Sequence, residues 1–340
     1  MTKKVVSLGE ILMRLTPPNY ERFLQAKSFD INYGGAEANV ALALSNFGID
    51  SHFITQLPNN DLGKAAANYL KSFGVNTDNI NFKGEKLGTY FLEKGLSLRP
   101  SKVIYDRKNS SICKINSLDF DFDKIFKGAE WFHISGITPV LSKECAEFTK
   151  IAVKKAKERN IKISLDLNYR SQLATIEEYE KIMDEILPYV DLCIGWLSSI
   201  EESNKEHKIA DFAKEEFNEK KFLNIFSKMS EKYNIKYLAT TLRENFSASK
   251  NAISAIIYEN DKIYKSSRYE FNILDRVGAG DAFAAGLIYG LINNEDIEKT
   301  LNIAVASAVI KHTINGDSNI INIKELLSIA NGNISGTVQR

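Results

Sequence analysis

Near its C-terminus the chain reads Asp275-Arg-Val-Gly-Ala-Gly-Asp-Ala-Phe-Ala-Ala-Gly286, a glycine-rich turn and an acid followed by an apolar stretch to about Asn293. Gly278 and Gly280 can take backbone conformations that a Cβ would forbid. If a helix begins here, its first N–H groups have no acceptor inside the helix, and the helix dipole favours negative charge beside them. The turn therefore predicts a cradle for a phosphate group or another oxyanion, formed by the N–H groups of Gly278, Ala279 and Gly280.

Asp281 follows this cradle directly, where a carboxylate would repel a resting anion. A general base that takes a proton from an attacking hydroxyl group would explain an acid at this position. The alternative is an ordinary helix start with an acid in its first turn. The motif alone leaves both interpretations open, and the rest of the chain favours the first.

Length and composition exclude several classes of protein. A chain of 340 residues can form one large domain or a domain with a small lobe. Its net charge of +1 predicts no broad attraction to nucleic acid or to a membrane surface, and no run approaches the roughly 18 apolar residues that span a bilayer. Cys113, Cys145 and Cys193 lie far apart and are interpreted as reduced thiols of a cytoplasmic protein.

Short apolar segments alternate with amphipathic ones along most of the chain. Buried strands are predicted at Val5–Leu8, His52–Gln56, Trp131–Ser135, Lys162–Asp166, Leu192–Gly195 and Tyr237–Thr241. Helices are predicted at Glu37–Phe47, Gly63–Phe73, Lys143–Arg159, Ile176–Leu187 and Asn224–Lys232. This alternation predicts an α/β fold: a doubly wound, mostly parallel central sheet flanked by helices, within a single domain of residues 1–340.

Two regions, at about 12–33 and 87–116, interrupt this pattern with alternating segments broken by turns. They predict antiparallel strands of a small second sheet, which could cover a site as a lid. The charged stretch Glu201–Lys221 predicts a surface helix or an insertion.

A second motif reads Asn32-Tyr-Gly-Gly-Ala-Glu-Ala-Asn39. Paired glycines again precede a helical segment, with an asparagine one turn inside it. A plain helix start is one interpretation. The functional one is that Gly34 and Gly35 let a polyol approach the backbone, while Asn39 exchanges hydrogen bonds with its hydroxyl groups.

Together the two motifs resemble the two signatures of the ribokinase/PfkB family of carbohydrate kinases, and the resemblance covers essentially the whole chain. It implies a ribokinase-like fold and transfer of the γ-phosphoryl group of ATP to a sugar hydroxyl. In the family pattern Asp281 is the base, and the Gly278–Gly280 amides stabilise charge on the transferred group. No Gly-x-x-x-x-Gly-Lys-Ser/Thr loop occurs, so the phosphate site would be this other kind of anion hole.

Two arginines indicate which class of sugar the site would bind. Arg170 follows Asp166-Leu-Asn168 at a predicted strand end, where α/β sheets bind ligands, and Arg107 follows Tyr105 in the predicted lid. Each could form an ordinary surface ion pair. If both face a ligand, they suit a carboxylate, which a guanidinium group binds with two hydrogen bonds. These elements look like 2-keto-3-deoxygluconate kinases, whose substrate is a sugar acid.

The resemblance implies a role for each matching position. The residues that would contact the sugar acid, besides Gly35 and Asn39, are Gly34, Tyr90, Tyr105, Arg107, Arg170, Asp281 and Asp317. Those that would line the nucleotide site, besides the cradle, are Asn168, Ser198, Thr241, Arg243, Ser247 and Asn302.

The metal site departs from the family pattern. Many relatives carry Asn-x-x-Glu where this chain has Ser198-Ser-Ile-Glu201. Glu201 would then act on magnesium through water, or be an ordinary first-turn acid. Magnesium is expected in either case, because it mainly binds ATP phosphates and water. The loops around Asp275 and Asn315–Asp317 leave open a monovalent cation, as in some relatives.

The expected function is ATP-dependent phosphorylation of 2-keto-3-deoxygluconate on its terminal hydroxyl group. The alternatives are a kinase for another sugar, such as fructose or 5-keto-2-deoxygluconate, and a non-catalytic sugar-acid sensor that kept the fold. The expected partners are ATP and a small sugar acid, with neither nucleic acid nor membrane. Because exposed strand edges of a lid often pair between subunits, a dimer or higher homo-oligomer is expected.

Overall fold

The structure is a computed structural model that describes residues 3–201 and 217–333. Its strands are β1 (Lys4–Leu8), β2 (Leu12–Thr16), β3 (Asp30–Gly34), β4 (Asp50–Leu57), β5 (Ile80–Phe82), β6 (Thr89–Glu93), β7 (Lys102–Asp106), β8 (Ala129–Ser135), β9 (Lys162–Asp166), β10 (Leu192–Ile194), β11 (Tyr237–Asn245), β12 (Lys250–Glu259), β13 (Lys262–Lys265) and β14 (Tyr269–Asn272). Its α-helices are α1 (Ala36–Asn46), α2 (Asp61–Ser72), α3 (Phe122–Phe126), α4 (Lys143–Lys157), α5 (Ile176–Ile186), α6 (Glu219–Tyr233), α7 (Ala279–Ile292), α8 (Ile297–Lys311) and α9 (Ile323–Ala330).

The main sheet has the strand order β13-β12-β11-β10-β9-β8-β1-β4-β5, with β14 also paired to β12. The strands from β11 to β5 run parallel, whereas β12 pairs antiparallel with β11, β13 and β14. Helices α4, α5 and α6 pack on one face, and α1, α7 and α8 pack on the other. The predicted mostly parallel sheet between helical layers is confirmed.

The predicted strand and helix positions are confirmed with small shifts at the ends. The strand predicted at Tyr237–Thr241 continues to Asn245, because β12 pairs with it along its length. The helix predicted at Asn224–Lys232 begins at Glu219, where the side chain of Asn218 accepts a hydrogen bond from the Lys221 N–H. The charged stretch predicted as a surface helix or insertion lies mostly outside the described residues.

The second sheet has the strand order β3-β2-β6-β7 and is called the lid below. The pairs β2–β3 and β6–β7 are antiparallel, as predicted, but β2 and β6 run parallel. The reason is topological: β2 and β6 each follow a strand of the parallel part of the main sheet, so both leave it in the same direction. All five residues of β7 are exposed.

In the described part of the chain, no helix has the length and apolar character needed to cross a membrane. Cys113, Cys145 and Cys193 are buried and form no disulfide.

Candidate active site

Helix α7 begins at the predicted cradle. Its N-cap, Gly278, has a left-handed conformation with φ 83°, which favours glycine, and a Cβ there would overlap the backbone carbonyl of Asp317. Gly280 differs, because it lies within the helix without positive φ, and a Cβ there would enter open space. The expectation that Gly280 needs a special backbone conformation is therefore wrong. Glycine at this position instead keeps the cavity free of a side chain.

Asp281 is buried in the first turn of α7, where its Oδ2 accepts a 2.6 Å hydrogen bond from the Asn39 side chain. Burial raises the pKa of Asp281 to about 8, and the nearby carboxyl groups of Asp166, Asp317 and Glu37 act in the same direction. The hydrogen bond from Asn39 opposes this shift. A carboxyl group held in this way is fixed in orientation, and with its raised pKa its deprotonated form is a stronger base than an ordinary carboxylate. Asn39 thus contacts Asp281, a role that the sequence motif did not indicate.

The paired glycines of the second motif lie where β3 meets α1. A Cβ on Gly34 would overlap the carboxylate of Asp317, and a Cβ on Gly35 would overlap the backbone carbonyl of Glu10. The expected reason for these glycines was close approach of a polyol. The structure gives protein packing as the reason, although both residues also line the cavity.

A cavity of about 1860 Å³ opens between the lid and the carboxyl ends of the parallel strands. Most of the predicted site residues line it together: Gly34, Gly35, Asn39, Tyr90, Tyr105, Arg107, Asn168, Arg170, Ser198, Thr241, Arg243, Gly278, Ala279, Gly280, Asp281 and Asp317. These residues come from both motifs, the lid and several strand ends. Residues distant in the sequence are thus brought to one site.

Three predicted site residues do not line this cavity. Ser247 lies in the β11–β12 turn and accepts a hydrogen bond from the Ser249 N–H. Asn302 faces away on α8, where it accepts a 3.1 Å hydrogen bond from the Ser267 N–H. The Glu201 carboxylate accepts a 3.3 Å hydrogen bond from the indole N–H of Trp196 and forms a 2.8 Å ion pair with Lys221.

No group of three or more His, Cys, Asp or Glu side chains suited to a metal ion occurs within residues 3–201 and 217–333. The one predicted metal residue, Glu201, is engaged by an indole N–H and an ammonium group.

The lid side of the cavity carries two tyrosines and an arginine. The rings of Tyr90 and Tyr105 lie 5.7 Å apart between centroids, and the Arg107 guanidinium lies 5.6 Å from the Tyr105 ring. Arg107 also donates through Nε and Nη2 to the buried carboxylate of Glu10, which in addition accepts from Ser110. The predicted ligand-facing arginine of the lid is therefore already ion-paired inside the protein.

The opposite side presents residues that follow β9. Asp166 ends the strand, and burial raises its pKa to about 6 while Arg170 opposes the shift. Asn168 has φ 42°, an uncommon conformation for a residue other than glycine. Arg170 is exposed to the cavity, and no described acid lies within ion-pair distance of it. Of the two predicted arginines, Arg170 is the one whose charge is available to a ligand.

Two further guanidinium groups line the cavity. The Nε of Arg243 is buried without a hydrogen-bond partner among the described residues. Burial lowers the pKa of Arg243, and the nearby charge of Arg276 adds to this effect. Arg276 makes one long hydrogen bond, 3.5 Å, to the carbonyl of Ala248. The sequence argument missed Arg276 as a site residue, although its place two residues before Gly278 was a usable signal.

Arg14 holds the base of the lid and was also missed. It lies on β2, is 1% exposed, and donates to Asp275 at 2.5 Å and to Asp317 at 2.7 Å. Asp317 also accepts a hydrogen bond from Tyr90. The ion pairs connect the lid to the loops on both sides of the cradle, so Asp317 and Tyr90 line the cavity as members of a protein network.

A carbohydrate-kinase family model, described as pfkB family carbohydrate kinase, matches residues 2–323 of this chain. The crystal structure of a 2-dehydro-3-deoxygluconokinase from Thermotoga maritima is 46% identical, with a TM-score of 0.91, 97% of this chain covered and all of that one. The 2-dehydro-3-deoxygalactonokinase of Haloferax volcanii is 28% identical over 99% of both chains. The 5-dehydro-2-deoxygluconokinase of Clostridium tetani is 27% identical over 89% of this chain and 85% of its own length.

The protein belongs to the pfkB family of carbohydrate kinases. The predicted family resemblance, the ribokinase-like fold and the assignment as a sugar kinase are thereby confirmed. The names of these three relatives are those of kinases for keto-deoxy derivatives of gluconate or galactonate, which are sugar acids.

Proposed function

We propose that this protein is an ATP-dependent 2-dehydro-3-deoxygluconate kinase, which phosphorylates the terminal hydroxyl group of the substrate (also called 2-keto-3-deoxygluconate). The observation that carries the proposal is Arg170, a guanidinium group without an ion-pair partner among the described residues, in the same cavity as the buried Asp281. A neutral sugar offers Arg170 only hydroxyl groups, whereas a sugar acid offers a carboxylate that the guanidinium group can bind with two hydrogen bonds. The 46% identity to the Thermotoga maritima enzyme supports the same substrate class.

The phosphoryl group would pass from ATP to the sugar at the start of α7. Asp281, oriented by Asn39, would take the proton of the attacking hydroxyl group as the O–P bond forms and ADP leaves. The N–H groups of the cradle, Gly278–Gly280, and the cavity-lining guanidinium groups of Arg243 and Arg276 would stabilise charge on the transferred group. Magnesium, when bound with ATP, would neutralise charge on the phosphates.

A substrate panel tests this proposal. The kcat/KM of the purified protein should be highest for 2-keto-3-deoxygluconate or its C4 epimer, lower for 5-keto-2-deoxygluconate, and lowest for fructose. The relatives named after the galacto epimer and the 5-keto sugar make these the comparisons that matter. Preference for fructose would reject the sugar-acid assignment and leave the carbohydrate kinase class in place. Absence of phosphorylation with every substrate would favour a sensor.

Arg170→Leu is expected to raise KM for the sugar acid at least about tenfold, because a charge-assisted hydrogen bond to a carboxylate contributes roughly 1.5–3 kcal/mol. Activity on fructose should change far less. Arg170→Lys should restore only part of the loss, since lysine keeps the charge but not the fork of donors. The measurement is kcat/KM on both substrates, with Arg268→Leu as the control, because Arg268 pairs with Glu244 on the surface outside the cavity. Equal losses on both substrates would contradict the role of Arg170.

Arg107→Leu is a less direct test of the same idea. Its KM for the sugar acid should rise less than that of Arg170→Leu, because Arg107 is already paired with Glu10, and the substitution leaves this buried carboxylate without its cation. Its thermal unfolding should therefore be measured beside its kinetics.

Gly280→Val is expected to lower turnover at least about tenfold with little change in sugar affinity, because its side chain enters the space next to the phosphate-binding N–H groups. Gly280→Ala adds one methyl group in the same open space and should have a smaller effect. The measurements are kcat, KM for ATP and sugar binding by calorimetry, with thermal unfolding to confirm the fold. If Gly280→Val keeps the wild-type kcat and KM for ATP, Gly280 has no role in phosphate binding.

We also infer that the protein acts in the cytoplasm, where ATP is available, and that it pairs through the lid. Strand β7 lies at the end of the lid's strand order, and Ile104, on the face opposite the cavity-lining Val103 and Tyr105, is 56% exposed. Apolar side chains on an unpaired strand edge favour association with a second copy. Sedimentation velocity of the purified protein would give the mass of the assembly, and a monomer at micromolar concentration would contradict the inference.

A further inference from the structure

The candidate is Lys311, the last residue of α8. Its side chain is fully buried, which is rare for a lysine that has no close acid. Among the described residues no carboxylate lies within ion-pair distance of its ammonium group, which instead donates to two backbone carbonyls, of Ile314 at 3.2 Å and of Asp275 at 3.4 Å. Burying an ammonium group costs free energy unless another interaction offsets that cost. The surroundings of Lys311 should therefore show what its charge stabilises.

The two carbonyls belong to the two loops that form the cradle. Asp275 begins the loop that leads into Gly278, and Ile314 belongs to the loop that leads to Asp317. These loops contact each other directly, because the Gly316 N–H donates to the Asp275 carboxylate and the Asp317 carbonyl packs on Gly278. The Lys311 side chain also lies beside Gly278, because its Cε would be 3.3 Å from a Cβ added there. The ammonium group therefore joins both loops behind the phosphate-binding turn.

Charge balance gives a second reason. Asp275 and Asp317 lie behind the cradle, and both share the single guanidinium of Arg14. Arg14 alone would leave one net negative charge beside a site that is to bind a phosphate. Lys311 brings the charge of this pair of acids, Asp275 and Asp317, into balance, and the nearby charge of Asp281 also favours the charged form of Lys311. The pKa of Lys311 is lowered by burial, while Asp275 and Asp317 oppose that shift.

We propose that Lys311 is a positioning residue that serves as a built-in monovalent cation: its ammonium group holds the two loops of the cradle and removes the net negative charge behind it. The proposal rests on the proposed function and deepens it. The ammonium group of Lys311 would take the place of the monovalent cation that the loops around Asp275 and Asn315–Asp317 could otherwise hold. Because the cation is covalently supplied, the enzyme should need no added K⁺ or NH₄⁺.

The test removes the ammonium group and offers a free cation in its place. Wild-type kcat should agree within about twofold in choline, sodium, potassium and ammonium chloride at equal ionic strength. Lys311→Ala should lose at least about tenfold in kcat in choline chloride, with a smaller change in KM for the sugar. Potassium or ammonium should restore much of that loss. Lys311→Met fills the space and should stay slow in every salt. Lys299→Ala is the control, because Lys299 lies exposed on the same helix and pairs with Glu295.

Stability gives a readout that does not depend on the substrate. The unfolding temperature of Lys311→Ala should rise in potassium relative to choline, whereas that of the wild type should not. A Lys311→Ala variant that no cation restores, in kcat or in unfolding temperature, would overturn the proposal. So would a Lys311→Met variant with wild-type kcat, or failure of both variants to fold in every salt. If the wild type phosphorylates no sugar, the proposed function fails while the cation-dependent unfolding still tests Lys311.

Discussion

Asp281→Asn is expected to lower kcat by at least about a hundredfold while the fold and sugar binding persist, the usual scale for a lost general base. The amide keeps the shape of the side chain and can still contact Asn39, but it cannot accept the proton of the attacking hydroxyl group. The measurements are kcat by a coupled ADP assay and sugar affinity by calorimetry. Glu298→Gln is the matched control, because Glu298 is a first-turn acid of α8 outside the cavity. Turnover near the wild-type value would remove Asp281 from the mechanism.

The pH dependence of the same residue can be predicted. Because burial raises the pKa of Asp281 to about 8 and a base must be deprotonated, kcat/KM should rise as the pH increases towards that value. The Asn variant should lack this rise in its residual activity. A profile that is flat from pH 6 to 9 in the wild type would contradict a base with a raised pKa.

The free energy of unfolding should change with pH in the direction opposite to activity. Between about pH 4 and pH 8 the folded protein keeps the proton of Asp281, whereas the unfolded chain has lost it. The contribution of this group to the free energy of unfolding therefore decreases as the pH rises through that window. Asp281→Asn has no such term, so its unfolding temperature should exceed that of the ligand-free wild type by a margin that grows towards pH 8. If Asp281→Asn is more stable than the wild type and inactive, then Asp281 lowers stability but is required for catalysis.

Arg14→Met is expected to destabilise the protein by about 3–5 kcal/mol, because it leaves two buried carboxylates without their cation. The free energy of unfolding from urea denaturation measures this effect. Arg268→Met is the control: Arg268 forms an exposed ion pair with Glu244, and such pairs contribute about 0–1 kcal/mol.

A double variant separates charge from packing. Adding Asp275→Asn to Arg14→Met neutralises one of the two carboxylates that lost their guanidinium partner, so part of the lost stability should return. If Arg14→Met costs less than about 1 kcal/mol, or if the double variant is less stable than the single one, the ion pairs do not hold the lid base as described.

Local patterns in the sequence were sufficient for the elements of the fold. The buried strand at Lys162–Asp166 and the helix from Ile176 follow from apolar composition and period within each segment. The glycine turn before α7 could likewise be recognised, since Gly278 must be left-handed where the helix begins. Asp281 was predicted as the base because an acid beside a phosphate cradle needs a chemical reason, and that role stays a prediction.

Contacts between distant residues were beyond the reach of these patterns. From the sequence, Arg107 and Arg170 were both predicted to face a ligand. In the folded chain Arg107 pairs with Glu10, whereas Arg170 faces the cavity. The parallel pairing of β2 with β6 depends on where both segments leave the main sheet. Gly34 looked like a ligand-approach glycine, and the carboxylate that it accommodates belongs to Asp317.

The charged network behind the cradle shows which features the sequence determines and which depend on the tertiary structure. A sequence shows that Arg14, Asp275, Lys311 and Asp317 are present, and the glycine motif indicates where a phosphate would bind. The ion pair between Arg14 and Asp317 joins residues 303 positions apart, and Lys311 binds backbone carbonyls, which every residue possesses. Periodicity and motifs report what a segment does with its neighbours in the chain. The partner of a buried charge is fixed by packing, because the low-dielectric interior penalises every arrangement that leaves the charge uncompensated.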